Sequence, residues 1–279
     1  MCKLKSAIIL KDRIFMPDYD SHSKMLEELK ITDDYIHASK VFVRAELSPA
    51  DGDVFSDIDS WEFSVDQDIT PEWFDEKDCI ERMREAVKEW AKTHIFIGKG
   101  GLKISHGENI YVKNCKDVEV YGNATVKYIR GNATVEYIYG NATVENIYGN
   151  ATVKNIYGNA TVEYIYGNAT VENIYGNATV ENIRGNATVE NIRDNATVEN
   201  IYGNATVKNI YGNATVEYIC DSATVKNIYG NATVISSLYS EWNNSASLII
   251  AGNATFKDCY SRTIYQAGGW KLVEVKKGK

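Results

Sequence analysis

Gly122-Asn-Ala-Thr-Val-Lys-Tyr-Ile-Arg130 opens a stretch that runs to Leu238 as thirteen consecutive nonapeptides of the form G-N-A-T-V-[E/K]-[N/Y]-I-[Y/R], without gaps. A period held this strictly marks a solenoid, in which each unit stacks on its predecessor and buries a core that no single unit could bury. Ala at position 3 (Ala124, Ala133, Ala142), Thr at 4, Val at 5 and Ile at 8 recur in every copy up to the last. Positions 3 and 5 point to one side of an extended backbone and positions 4 and 6 to the other, so Ala and Val are expected inside and Thr outside. Ile at position 8 is out of that phase, which requires a bend near positions 6 and 7. Gly-Asn at positions 1 and 2 supplies a second bend. Gly every nine residues and a repeated Thr-Val pair oppose a helix.

Nine residues at ~3.3 Å each make a loop of only about 30 Å, too tight to enclose facing side chains. Two nonapeptides per coil, eighteen residues, let two short parallel sheets face each other across Ala, Val and Ile. With coils ~4.8 Å apart the perfect part is a rod roughly 30 Å long. This coil sorts position 6 onto two walls. One reads Lys127, Glu145, Glu163, Glu181, Glu199, Glu217, and the other Glu136, Lys154, Glu172, Glu190, Lys208, Lys226. The first is an almost purely acidic row that repels itself unless something basic lies alongside. Position 9 supplies Tyr139, Tyr148, Tyr157, Tyr166, Tyr175, Tyr202, Tyr211 and Tyr229, with Arg130, Arg184 and Arg193 interspersed. Stacked Tyr and Asn ladders stabilise such rods. The same residues also make a recognition surface, whose candidate binding members are Glu145, Glu163, Glu181, Glu199, Glu217, Tyr148, Tyr166, Arg184 and Tyr202.

The chain has 279 residues and a net charge of -8. Residues 1–100 hold 22 acidic and 14 basic side chains, and the remainder is balanced. The excess charge therefore sits in the first hundred residues, which argues against phosphate-backbone binding there and against direct nucleic-acid binding. Cys2, Cys79, Cys115, Cys220 and Cys259 are odd in number and lack metal-site spacing, so they read as reduced thiols of a cytoplasmic protein. Ala7-Ile-Ile-Leu10 is too short for a signal peptide, and no apolar run approaches membrane-spanning length, so no membrane association is expected. Asn-Ala-Thr in each repeat is formally a glycosylation sequon, here read as a corner turn.

The chain divides into an α+β domain over 1–100, a solenoid cap over 101–121, the nonapeptide β-solenoid over 122–260, and a closing cap with a basic tail over 261–279. In the first part, Ser6–Leu10, Ile14–Met16, Val41–Leu47 and Trp61–Val65 read as strands. Lys24–Leu29 reads as a short helix capped by Asp20 or Ser21, extended by Tyr35–Ala38. Pro71 is expected to open a long helix from Glu72 to about Thr93, with Trp73, Ile80, Met83, Ala86, Val87 and Trp90 as its buried stripe. Gly98–Gly101 marks the boundary. Near the end, Tyr239–Asn243 is an insertion, Asn244–Ala251 a shortened unit, Gly252–Tyr260 a late copy, and Trp270–Val275 a closing edge strand.

Chemistry-bearing residues are few. Asp18, Asp20 and His22 share one loop and have a spacing suited to metal ligation or acid–base work, or equally to a turn with helix capping. Asp51, Asp53, Asp57 and Asp59 form an acidic loop without the Gly and Glu of an EF-hand, so a solvated loop is expected. No phosphate-cradling Gly loop precedes a helix, His37, His94 and His106 are not read as members of a nucleophile–base pair, and no cofactor is expected. The repeat resembles calcium-binding nonapeptide β-rolls in period only: it has one Gly per unit and Glu or Lys where their Asp stands, so no metal is expected along the rod. It has one Thr per strand, where β-solenoid antifreeze proteins present paired Thr ranks.

Met16-Pro-Asp-Tyr-Asp-Ser-His-Ser23, Phe42-Val-Arg-Ala-Glu-Leu-Ser-Pro49, Trp61 with Val65-Asp-Gln-Asp68, and Glu85–Lys92 resemble an uncharacterised family of gut bacteria and their phages. Its members carry similar N-terminal domains ahead of N-A-T-V repeats. The resemblance implies a phage or prophage origin and a bacterial host cell, and it brings no site residues. The leading expectation is a non-enzymatic binding protein that presents a surface to a host macromolecule and inhibits a defence or nucleic-acid enzyme. Phosphate mimicry, as in pentapeptide-repeat solenoids, fits less well, because a ~4.8 Å row matches B-DNA phosphates poorly. Two other classes stand beside it: a structural rod that self-assembles as a homo-oligomer, and an enzyme or metal site at Asp18, Asp20 and His22.

Overall fold

The computed structural model describes residues 4–236, 248–258, 263–267 and 269–275. It divides into two compact units, Met1–Phe96 and Ile97–Lys279. The first is a small α+β unit and the second a parallel β-solenoid, the mainly β architecture expected from the repeats.

In the first unit, β1 (Lys5–Leu10), β2 (Ile14–Phe15), β3 (Phe42–Ser48) and β4 (Glu62–Val65) form an antiparallel sheet of order β2-β1-β3-β4. Helix α1 (His22–Glu28) sits between β2 and β3 and starts at Ser21, whose hydroxyl accepts the Lys24 N–H. The anticipated extension, Tyr35–Ala38, is a separate helix, α2, because Asp34 caps it anew. Ser6, Ile8 and Leu10 lie opposite Glu46, Arg44 and Phe42 and so share one sheet face. On that face Ile8, Leu10 and Phe42 pack against Met25 and Leu26 of α1. Lys5 is one residue out of phase, on the other face, where its ammonium lies 5.0 Å from the Trp90 ring of α3 (Glu76–His94). The long helix thus begins four residues later than the Pro71 reading. Pro71–Phe74 is a turn closed by Phe74 N–H to Pro71 C=O, and Asp75 is the cap, accepting from Lys77 and Asp78 N–H. Its buried stripe is Cys79, Met83, Val87, Trp90 and His94. Trp73 lies before the helix and donates its indole N–H to the Lys40 carbonyl at 2.9 Å.

In the second unit each nonapeptide is one strand and one corner, the strand five residues long from Thr134–Ile138 to Thr224–Ile228. Strands two copies apart pair in parallel, Thr134 with Thr152, Val135 with Val153 and Ile138 with Ile156, so one coil is eighteen residues. Alternate copies build an eleven-stranded and a ten-stranded sheet. Ala, Val and Ile at positions 3, 5 and 8 are buried throughout. Each buried Val or Ile side chain contributes roughly 1.5–3 kcal/mol, and the small Ala lets the walls close at the corners. The phase change falls inside the strand without ending it. Cross-strand partners occur at positions 4, 5, 7 and 8 and skip position 6. The carbonyl released there is taken up by the Asn at position 7 one coil on: Asn146 donates to Lys127 C=O at 3.3 Å, and Asn182 to Glu163 C=O at 3.3 Å.

The corner needs Gly. Gly140 has φ of 75°, and a Cβ placed there would sit 3.0 Å from Gly122 N. Positive φ at Gly and not at the following Asn is the signature of a type II′ turn. Asp194 and Asp221 replace Gly at two corners with φ of 60° and 56°, and each carboxylate accepts a Gly N–H of the preceding coil, Gly176 at 3.4 Å and Gly203 at 3.1 Å. Asn side chains at position 2 hydrogen-bond up both corners, for example Asn159 to Asn141 at 3.4 Å and Asn168 to Asn150 at 3.3 Å.

The strand-like pieces of residues 101–121 pair with the first repeat strands. Ile110–Lys113 pairs in parallel with the strand Thr125–Arg130, and Val118–Val120 with Thr134–Ile138. Parallel pairing is present from the Gly100–Lys116 bridge and from Lys103–Ile104 on Val118–Val120, where Val118 and Val120 supply inward side chains. At the far end Thr255–Asp258 adds in parallel to Thr233–Ser236, as the late copy predicts. Thr263–Gln266 and Gly269–Val275 then pair antiparallel with Thr255–Asp258 and Leu248–Gly252. The reversal ends the parallel winding on both sheets, with Gly269–Val275 as the foreseen closing strand. The Tyr239–Asn243 insertion and the tail ending at Lys279 lie outside the described residues.

Candidate functional site

The two outer walls of the solenoid differ in kind. On the ten-stranded sheet, Lys and Glu at position 6 neutralise each other between coils: Lys154 Nζ is 2.7 Å from Glu136 and Lys208 Nζ 2.6 Å from Glu190. The hydrogen bond to Glu136 raises the Lys154 pKa. On the eleven-stranded sheet, Lys127 pairs with Glu145 at the start of the row. Glu163, Glu181, Glu199 and Glu217 then follow at one-coil intervals with no basic residue at position 6. Partial burial, and then the neighbouring Glu145 and Glu181 charges, push the Glu163 pKa up. The sorting expected from an eighteen-residue coil is the sorting found.

Position 9 sits at the corners and forms two columns. Beside the acidic wall, Tyr148 and Tyr166 stack with ring centres 4.9 Å apart, and the Arg184 guanidinium covers Tyr166 at 4.8 Å. Arg184 also lies over Tyr164, a position 7 residue of the wall, at 5.2 Å. Tyr202 follows one coil beyond Arg184, half-buried. At the other corner Tyr121, Tyr139, Tyr157 and Tyr175 stack at 5.3, 5.1 and 5.0 Å, and the Arg193 guanidinium lies 4.1 Å from the Tyr175 ring. Burial within the columns, followed by neighbouring Tyr groups, raises the pKa of Tyr157 and Tyr166. The Tyr and Asn ladders therefore hold the rod together, and Glu145 to Glu217 with Tyr148, Tyr166, Arg184 and Tyr202 line one continuous strip. The backbone role of Asn at position 7 was not read from the sequence. Its signal was the recurrence of Asn next to the out-of-phase residue.

The loop trio of the first unit is drawn apart. Asp18 reaches His94 Nε2 at 3.3 Å, and Asp20 accepts from Ser6 N–H at 3.1 Å and from Lys5 Nζ at 3.4 Å. His22 turns into the sheet, with Nε2 3.2 Å from Ala45 C=O and Nδ1 3.2 Å from Asp66 Oδ2. Desolvation lowers the Lys5 pKa and raises that of Asp20, the mutual attraction opposing both shifts. Asp51, Asp53 and Asp57 cap their own turns, accepting N–H groups two residues on.

Among the described residues no helix is long and apolar enough to cross a membrane. Cys79, Cys115 and Cys220 are free thiols, and burial pushes Cys79 and Cys220 up. The fold and its strip define a nonapeptide-repeat β-solenoid joined to a small α+β unit. Comparison with protein-family models, with curated proteins and with solved structures finds no match for the chain.

Proposed function

We propose that this is a non-enzymatic binding protein whose acidic wall docks on a basic surface of a host protein and blocks it. The observation that supports this is the contrast between walls: one cancels its charge coil by coil, while the other holds a row of like charges that repel along its length. A basic partner removes that repulsion, and complementary charge speeds and directs encounter. Tyr148, Tyr166, Tyr202 and Arg184 beside the row are of the residue types that anchor interfaces. The resemblance of Met16–Ser23 and Phe42–Pro49 to a gut-bacterial and phage family supports a phage or prophage origin, and with it a bacterial defence or nucleic-acid enzyme as the target.

The test is affinity capture from bacterial lysate with the full chain, a Glu163→Lys/Glu199→Lys variant, and a Glu172→Lys/Glu190→Lys variant of the opposite wall. A specific partner held by the chain and the opposite-wall variant, and lost with the acidic-wall variant, is expected. No specific partner, or one indifferent to the acidic row, would sink the reading.

A further inference from the structure

A second chemistry-bearing cluster stands outside the solenoid and is independent of the reading above. His22, Glu46 and Asp66 bring one ring nitrogen and two carboxylate oxygens to within 4.8 Å of one another. They come from three elements. His22 is the first residue of α1, Glu46 lies in the middle of β3, and Asp66 directly follows β4. We propose that this cluster is a binding site for a divalent transition-metal ion of the zinc class.

The hydrogen bonds set up the ligand. The Ala45 carbonyl can only accept, so His22 donates Nε2–H to it. This leaves the Nδ1 lone pair directed at the Asp66 carboxylate, another acceptor, 3.2 Å away. Two acceptors at that distance are reconciled by a proton or by a cation between them. Metal-bound histidines characteristically give their other N–H to a backbone carbonyl, as His22 does. Zinc–nitrogen and zinc–oxygen bonds of about 2.0–2.2 Å at tetrahedral angles separate neighbouring ligand atoms by about 3.4 Å. The His22–Asp66 separation is already close to this, and the exposed Asp66 side chain is free to turn within the remaining distance.

Burial and ligand type agree. Glu46 is 6 % exposed and His22 5 % exposed, so a carboxylate and an imidazole meet away from bulk water. One imidazole and two acidic side chains offer a divalent ion three nitrogen and oxygen ligand atoms. Ser6, the cross-strand neighbour of Glu46 on the same face, is fully buried, and its hydroxyl oxygen has no hydrogen-bond partner. Asp66 is held in place from behind. Its N–H donates to Arg44 C=O at 2.9 Å, and Gln67 clasps β3 by accepting Arg44 N–H at 2.8 Å and donating to Phe42 C=O at 3.1 Å. One imidazole with two carboxylates suits zinc and its neighbours better than calcium, which prefers oxygen alone.

The experiment is isothermal titration of the full, metal-stripped chain with Zn2+, alongside Asp66→Asn and Asp18→Asn. One saturating equivalent is expected, with a rise in melting temperature. Asp66→Asn should weaken binding at least as much as loss of an outer-shell partner does, about 10–100-fold. Asp18→Asn, which touches His94 instead, should bind as the parent does. The Co2+ form separates this site from the cysteines, since it should lack thiolate-to-cobalt charge-transfer absorption. Absence of saturable binding would overturn the proposal and leave a His22–Asp66 ion pair. So would equal affinity in Asp66→Asn, or a thiolate spectrum.

Discussion

Glu163 stands in the middle of the acidic row, between Glu145 and Glu181, and its pKa is raised first by partial burial and then by those neighbouring charges. The folded value lies above the unfolded one, so the fold gains relative stability below the ordinary glutamate value of 4.5 and loses it as pH rises through the raised value. Glu163→Gln is therefore expected to stabilise the protein at neutral pH by about 0.5 kcal/mol, the scale of one like-charge cross-strand pair. The gain should vanish in acid and shrink in salt. Urea melts at neutral and acid pH, with and without salt, check it; an equal gain at both pH values would rule out charge as the cause. That Glu163 has Glu neighbours was readable from the sequence once the coil was set at eighteen residues. Its partial burial was not, because that depends on how the flanking side chains lie across the wall.

At the scale of the strand, the bend at position 6 costs one regular backbone pairing per unit, and the position 7 Asn repairs it. Asn191 donates to Glu172 C=O at 3.4 Å and to Asn173 at 3.1 Å, and accepts from Asn209 at 3.0 Å. Asn191→Ala should destabilise the solenoid by about 1–3 kcal/mol, the cost of leaving a poorly solvated carbonyl unpaired. Chemical denaturation followed by circular dichroism measures this, and an unchanged midpoint would mean that water replaces the amide without loss. Strands and corners of the repeat were legible because burial and turn chemistry both recur at fixed positions. The long helix was legible in kind but not in its start. Pro71 and Asp75 are both acceptable openings in sequence, and only the packing of Cys79, Met83 and Val87 selects the later one.

For the whole molecule, the two-copy coil makes deletions of different length diagnostic. Removing Gly158–Tyr175 takes out one coil, so Glu145 is followed by Glu181, Glu199 and Glu217 and the acidic row survives, shorter by one. Removing only Gly158–Tyr166 exchanges the sheets for every later copy. Glu145 is then followed by Glu172, Glu190 and Lys208, and Lys154 by Glu181, Glu199 and Glu217. Both deletions keep the buried Ala, Val and Ile columns, because each coil interacts only with its neighbours. Both are expected to melt cooperatively, while only the full-coil deletion retains capture of the basic partner. Capture by both would detach binding from the acidic row. Failure of the half-coil deletion to fold would show that the two walls are not interchangeable.

The amino-acid sequence alone determined the solenoid: its period, the eighteen-residue coil, the inward Ala, Val and Ile, and the assignment of Glu145 to Glu217 to one wall. It could do so because strand pairing in a stack of near-identical units joins residues one coil apart, so separation along the chain specifies proximity in space. Only the tertiary structure decided the first unit's chemistry. Asp18 and Asp20, neighbours of His22 in sequence, turn away to His94 and Lys5, while Glu46 and Asp66 arrive from distant strands. Sheet register and the seating of α1 bring those groups together, and both are set by non-local burial of Ile8, Leu10, Met25, Leu26 and Phe42, which leaves no periodic mark in the sequence.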